Sequence, residues 1–368
     1  MLTEEIANAQ RFVRTDAYQM SIGEVVSMYE NREIVINPEF QRLFRWNISQ
    51  KSKLIESLLL GIPLPPNFVF ERENGSWELI DGLQRVSTVL EFMGKLRTSK
   101  GTAPPSVLEA TKYLPSLHNG VWEQSDLIPD VSAEEQNELD KTQQLAIRRA
   151  RIGLEILKRP SEDKTKYDLF QRLNAGGTQA NPQELRNCIM IMVNKDYYRE
   201  VKSAARGDTF RDVVAVTEDQ IERQRHMELA VRFLVHTYIP YDGKLDVEEY
   251  IDDGIVSLAA ASNGTKAKKL IGDTFDLLKR AEGKNALRRF EDGHHIGKVG
   301  LVGLEGIAVG VAKNLRAILA LENPQQFLKA RIRKFWSQPE TSTFTSPGLR
   351  GTTRIQRTVP FGEAWFRP

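Results

Sequence analysis

Glu78-Leu79-Ile80-Asp81-Gly82-Leu83-Gln84-Arg85-Val86-Ser87-Thr88 reads as a short strand, a polar turn and the start of a helix. An apolar strand runs into Asp81-Gly82, which breaks it, and Val86, Val89, Leu90 and Met93 then recur at helical spacing. The turn sets a carboxylate, an amide and a guanidinium beside the N–H groups of a helix start. Such a place suits a phosphate, or a metal with its phosphate, because the helix dipole and unpaired donors favour negative charge. The competing reading is a turn in which Arg85 only pairs with a neighbouring carboxylate.

Residues 68–70 and 77–80 read as a hairpin joined across Glu73-Asn74-Gly75. Ile34-Val35-Ile36 is a short β-branched strand ended by Asn37-Pro38. Ser49 is expected to cap a helix over 50–60, with Leu54, Ile55, Leu58 and Leu59 on one face. Gly61 is placed to end it in a left-handed turn, and Pro63, Pro65 and Pro66 prevent its continuation. Residues 95–145, with Pro104-Pro105 and an acidic stretch, read as an insertion of helices and loops. Ile152, Leu154 and Ile156 alternate, which predicts a strand from about Arg151.

Beyond residue 160 the pattern becomes helical. Ser161 opens a helix to about Leu173, Asn174-Ala175-Gly176-Gly177 ends it in a loop, and Asn181-Pro182-Gln183-Glu184 starts the next. Amphipathic helices are expected near 219–238, 246–261, 266–281 and 298–321. The fold class is therefore α+β. A small mixed-sheet domain over 1–160 precedes a mainly helical domain over 161–325 and a basic, aromatic tail over 326–368.

The chain has 368 residues, 27% of them charged, with a formal net charge of +2, too small to argue for nucleic acid by itself. Distribution says more: eight basic residues from Lys329 onward face only Glu340 and Glu363. Cys188 is the sole cysteine, which excludes an intrachain disulfide and a cysteine-based zinc site. Its apolar surroundings, Ile189-Met190-Ile191-Met192-Val193, predict a packed thiol. The N-terminus lacks the basic start and apolar core of a signal peptide, and no apolar run approaches the roughly 20 residues that span a bilayer, so a cytoplasmic location and no membrane partner are expected. Gly297, Gly300, Gly303, Gly306 and Gly310 form no dinucleotide fingerprint and read as a close helix–helix face, which also offers a route to self-assembly. The adjacent pair His294-His295 diverges on any regular element and suits one metal poorly.

Three segments coincide in order. They are Asn37-Pro38-Glu39-Phe40-Gln41-Arg42 with Phe44-Arg45-Trp46; the run from Leu54 to Pro66; and Ile80-Asp81-Gly82-Leu83-Gln84-Arg85. Together they resemble the N-terminal domain family of GmrS and SspE, a ParB/sulfiredoxin-like fold of bacterial restriction and phage-defence proteins. Phe170-Gln171-Arg172-Leu173-Asn174-Ala175-Gly176-Gly177 and Glu184-Leu185-Arg186-Asn187 match the same pattern, and Arg225, Glu228 and Arg232-Phe233 resemble its next helical signature. The resemblance covers about residues 20–240. The family's usual motif is Asp-Gly-Gln-Gln-Arg, and here Leu83 replaces one amide.

The resemblance implies binding of a nucleotide or DNA phosphate, with Mg2+-dependent NTP hydrolysis or DNA nicking as the associated chemistry. On it, Asp81, Gln84 and Arg85 form the catalytic set, and Asp81 is the metal ligand. Gln41, Arg42, Asn174, Gly176, Gly177, Arg186 and Asn187 surround the bound NTP. DNA, a separately encoded effector and a second copy of the chain are the expected partners. Structural roles compete at each position, such as an Arg42–Asp81 or an Arg85–Glu184 ion pair. No histidine among His226, His236, His294 and His295 stands in HNH-type spacing. That motivates the alternative of a non-catalytic sensor that recruits or restrains a separate nuclease. Arg148-Arg149-Arg151 and the tail would then supply phosphate contacts. Phe335, Trp336, Phe344, Phe361, Trp365 and Phe366 would stack bases or dock a partner.

Overall fold

Alternating apolar residues and well-placed caps account for most elements of the first compact unit, residues 1–180. The computed structural model describes residue 2 and residues 15–36, 46–98, 101–128, 131–158, 182–346 and 348–368, without the side chain of Glu222. Gln41, Arg42, the helix expected over 161–173 and the Asn174–Gly177 loop lie outside the described residues. Strand β1 (Thr15–Ser21) leads into helix α1 (Ile22–Glu30) through a Ser21/Glu24 capping box. Strand β2 (Ile34–Val35) precedes α2 (Ile48–Leu60), whose cap is Asn47, with Gln50 closing the box. The expected cap, Ser49, sits inside the first turn instead. Asn47 wins because its side chain reaches the Gln50 N–H at 2.9 Å while Gln50 reaches back at 3.0 Å. Gly61 ends α2 at a φ of 70°, as expected.

Strands β3 (Asn67–Glu71) and β4 (Trp77–Asp81) form the anticipated hairpin, α3 (Leu83–Phe92) follows, and α4 (Lys141–Arg149) leads into β5 (Arg151–Leu157). The sheet order is β1-β5-β3-β4-β2. The β1–β5 and β3–β4 ladders are antiparallel, and β5–β3 and β4–β2 are parallel. β1 has no apolar alternation and was invisible to periodicity: it is an edge strand, mostly exposed, held by seven residue pairs to β5. Ile55, Val69, Leu79, Leu90, Phe92, Ile147, Leu154 and Ile156 form the core.

The 95–145 segment contains short irregular pieces that are stapled onto α2. Buried Glu56 accepts from the N–H groups of Tyr113 (3.0 Å) and Leu114 (3.2 Å) and from the Thr111 hydroxyl. The Thr111 hydroxyl and these N–H groups hold the Glu56 carboxyl below its ordinary value of 4.5.

The second unit, residues 181–368, is helical. It contains α5 (Pro182–Val193), α6 (Lys195–Ala205), α7 (Asp208–Val214), α8 (Glu218–Glu222), α9 (Arg225–Tyr238), α10 (Val247–Ala261) and α11 (Thr265–Glu282). A hairpin of β6 (Arg289–Glu291) and β7 (His294–Ile296) follows. Next come a π-helical segment (Gly303–Ala308), α12 (Val309–Lys313), α13 (Leu315–Leu319), α14 (Pro324–Phe335), α15 (Pro339–Phe344) and α16 (Gly351–Trp365). The helix expected over 219–238 is broken at Gln224, which adopts a φ of 62°. Cys188 is buried, as its neighbours predicted, and burial pushes its thiol well up.

The glycine face is real but shorter than its sequence spacing. A Cβ on Gly306 would come within 2.5 Å of the Phe335 ring, and one on Gly310 within 2.5 Å of the Gly362 carbonyl on α16. Gly297 and Gly300 meet nothing within 4 Å. Because α16 already occupies the face, it is not available for self-assembly. The tail is likewise part of the helical core: Phe335, Phe344 and Phe366 are buried, and Phe361 packs against Phe335, Phe344 and Trp365. Those buried rings cannot stack on bases. Among the described residues no helix is long and apolar enough to cross a membrane.

Candidate functional site

The turn after β4 owes its aim to one irregular residue. Val69 pairs with Leu79, yet the preceding Phe68 pairs with Asp81, so Ile80 is an extra residue in the ladder. A regular ladder would set Asp81 opposite Asn67, which is fully buried. The bulge re-aims Asp81 to the Phe68 side, where it keeps 29% of its side-chain exposure.

Gly82 then turns the chain at a φ of 84° and begins α3 without a side-chain cap. The glycine is required twice over. Its left-handed conformation disfavours a side chain, and a Cβ would lie 1.8 Å from the Asn67 Oδ1. Asn67 fills that notch with an amide whose oxygen and nitrogen find no partner among the described residues. Sequence reading missed it, because a polar residue directly after Pro65-Pro66 reads as loop.

Asp81, Gln84 and Arg85 are brought together as the motif predicts. The Arg85 Nη2 donates to Asp81 Oδ2 at 3.1 Å and to the Pro66 carbonyl at 3.3 Å, and Nη1 donates to the Pro65 carbonyl. Burial pulls the guanidinium below its ordinary value, against the opposing effect of Asp81. The pairing of Arg85 with a carboxylate is therefore present, and its described partner is Asp81. Gln84 Oε1 accepts from the Trp46 N–H at 3.0 Å, tying the turn to the start of α2. Leu83, where the family motif has an amide, is buried.

Arg186 and Asn187 belong to the second unit and are both buried there. Arg186 donates through Nε to Asp252 Oδ1 at 2.5 Å and through Nη2 to Glu248. Glu248 also accepts from Arg232 at 2.7 Å, and Glu228 accepts from Arg232 at 3.0 Å and from Arg225 at 2.7 Å. The residues of the later helical signature are thus a ladder of alternating charges across α5, α9 and α10. Asn187 joins Gln183 at 2.9 Å and Gln224 at 3.3 Å. With its charge met by two carboxylates, Arg186 holds helices together. His295 pairs with Glu282 at 2.9 Å while His294 is exposed, so the two histidines share no ligand. No cluster of three or more His, Cys, Asp or Glu is poised for a metal among the described residues.

Residues 22–191 match the family described as GmrSD restriction endonuclease, N-terminal domain. The match takes in strands β2–β5, the Asp81–Arg85 turn and most of α5, and begins just after β1. No curated protein and no solved structure matches the chain. Through residues 22–191, then, the chain matches the GmrSD-type N-terminal domain family of restriction and defence proteins.

Proposed function

We propose that the Asp81–Arg85 turn binds the phosphate of a nucleotide or of DNA, and that the protein acts on nucleic acid in restriction-type defence by hydrolysing an NTP or nicking DNA there. The observation that supports this most is the turn itself: a bulge-aimed carboxylate followed directly by an uncapped helix start. The first N–H groups of α3 and the positive end of its dipole favour an anion at that point.

Asp81 is also the residue for Mg2+. A lone carboxylate suits this ion, which keeps several waters and shares phosphate oxygens instead of needing a protein cage. When bound, it would supply charge neutralisation at the phosphoryl oxygens. The chain's own residues position the site. Arg85 fixes Asp81 and clamps the 63–66 strap, Gln84 anchors the turn to Trp46, and Asn67 holds Gly82 in its left-handed state. Gln41, Arg42, Asn174, Gly176 and Gly177 are proposed to complete the phosphate cradle.

One observation favours the second reading, a sensor without turnover. Arg85 spends both ends of its guanidinium on Pro65, Pro66 and Asp81, and Leu83 offers no amide. Two measurements on the full chain separate the readings: nucleotide and DNA binding with Mg2+, and phosphate release or nicking. Binding with turnover, both lost in Asp81→Ala, supports the enzyme; binding without turnover supports the sensor. If wild type binds neither NTP nor DNA, both readings fail.

A further inference from the structure

Ala17 on β1 pairs with Glu155 on β5, Glu155 pairs with Phe68 on β3, and Phe68 pairs with Asp81 on β4. Residues paired across a ladder share a face, so these four form one rung on one side of the sheet. Glu155 and Asp81 are two strand spacings apart, roughly 10 Å. At the Glu155 end the rung opens into a cavity of about 320 Å³. Gln19, Arg151, Gly153 and Glu155 floor it, and the 63–66 strap covers it with Pro63, Leu64 and Pro66. The same strap gives its Pro65 and Pro66 carbonyls to Arg85, so cavity and phosphate turn flank one short piece of chain.

The cavity's chemistry is mixed in a specific way. A Cβ on Gly153 would meet the Pro66 Cβ at 3.1 Å and Gln19 Nε2 at 3.3 Å, so glycine leaves a flat floor under a close roof. Prolines and Leu64 provide an apolar ceiling for a planar ring. The side chains of Gln19 and Glu155 enter no hydrogen bond or ion pair among the described residues. A carboxylate only accepts, whereas an amide both donates and accepts. The pair therefore suits a heterocycle whose edge presents N–H donors. Arg151 lies at the end of the cavity away from the Asp81 rung, four residues along β5 from Glu155.

The geometry points to this cavity as the pocket for the base and sugar of the ligand whose phosphate occupies the Asp81 turn, an inference that rests on the phosphate assignment above. Bases with an exocyclic amino group, those of guanine, adenine or cytosine nucleotides, are preferred over uracil or thymine, whose single imino donor lies between two carbonyls that face a carboxylate unfavourably. A free nucleotide and a base extruded from a DNA strand present the same chemistry.

The test uses the full chain with Mg2+, titrated calorimetrically with each NTP, with inorganic tripolyphosphate and with a single-stranded oligonucleotide. Ala17→Phe, at an exposed position of the edge strand, places a ring over the cavity without entering the core. Ala17→Phe is expected to weaken NTP binding at least tenfold and to leave tripolyphosphate binding unchanged. Glu155→Gln is expected to shrink the preference for amino bases over UTP. A loss confined to the oligonucleotide would keep the pocket and name DNA as the source of its base. If both variants bind every NTP and the oligonucleotide like wild type while Asp81→Ala binds none, the pocket is wrong and the phosphate site stands. If wild type binds neither tripolyphosphate, nucleotide nor DNA, the phosphate site falls and the pocket with it.

Discussion

Arg354→Met should be among the most damaging single changes in the second unit. Glu305 lies in the π-helical segment with no exposed surface, and Arg354 reaches it by two parallel bonds, Nε to Oε2 and Nη2 to Oε1, each 2.9 Å. Removing the guanidinium strands a buried carboxylate, which costs about 3–5 kcal/mol. For a unit of this size that lowers the melting temperature by about 6–20 °C. The pH dependence has a definite sign. Burial pushes the Glu305 carboxyl above its ordinary 4.5 even with Arg354 facing it, and deleting Arg354 pushes it further. A native carboxyl that holds its proton more tightly than the unfolded one gains stability as pH falls. The variant should therefore recover stability from its native pKa down to about 4.5 and change little below. Thermal unfolding followed by circular dichroism across pH 4–8 measures this. The double variant Glu305→Leu/Arg354→Met should regain most of the loss, because a matched apolar pair leaves no orphan charge. A single variant within about 1 kcal/mol of wild type, or a double variant no better than the single, would refute the buried-pair account.

Gly82→Ala should destabilise the first unit by roughly 2–4 kcal/mol, from its positive φ and the displacement of Asn67, and should abolish binding at the turn. Chemical denaturation and ligand titration would report both effects, and a stable, fully binding variant would contradict the turn geometry. His236 is buried against Tyr250 with both ring nitrogens unpartnered among the described residues. Burial first, and then the charges of Arg232 and Arg354, lower it to about 3. Its unfolded form takes up a proton first, so its stability contribution is complete above about 6.5 and fades as pH falls toward 3. Between pH 6.5 and 4.5 wild type should lose roughly 2–3 kcal/mol more than His236→Phe; parallel stability curves for the two proteins would rule this out.

Local sequence rules carried far where a few neighbouring residues settle the outcome. The Asp81-Gly82 break, the helix after it, the hairpin around Gly75, the left-handed stop at Gly61 and the alternating strand at Arg151 all follow from backbone preference or periodicity over short spans. The strand β1 did not, because an exposed edge strand needs no apolar face and gains its stability from pairing with β5, more than a hundred residues away. Asn47 displaced Ser49 as a cap because Gln50, not a residue downstream, completes the box.

For the candidate site the division is similar. Sequence alone determined that a carboxylate, an amide and a guanidinium stand together at the start of a helix, since all three lie within one turn of chain. What they face depends on residues that other strands and the strap bring to the turn. The bulge at Ile80 set the side on which Asp81 emerges, the strap folded Pro65 and Pro66 onto Arg85, and Asn67 came from another strand to enforce Gly82. In the second unit tertiary structure gave Arg186 two carboxylates from a helix some sixty residues later in the chain. Motif spacing records which groups are neighbours along the backbone; whether a charge meets a ligand or an internal partner depends on residues that approach only when the sheet and helices close.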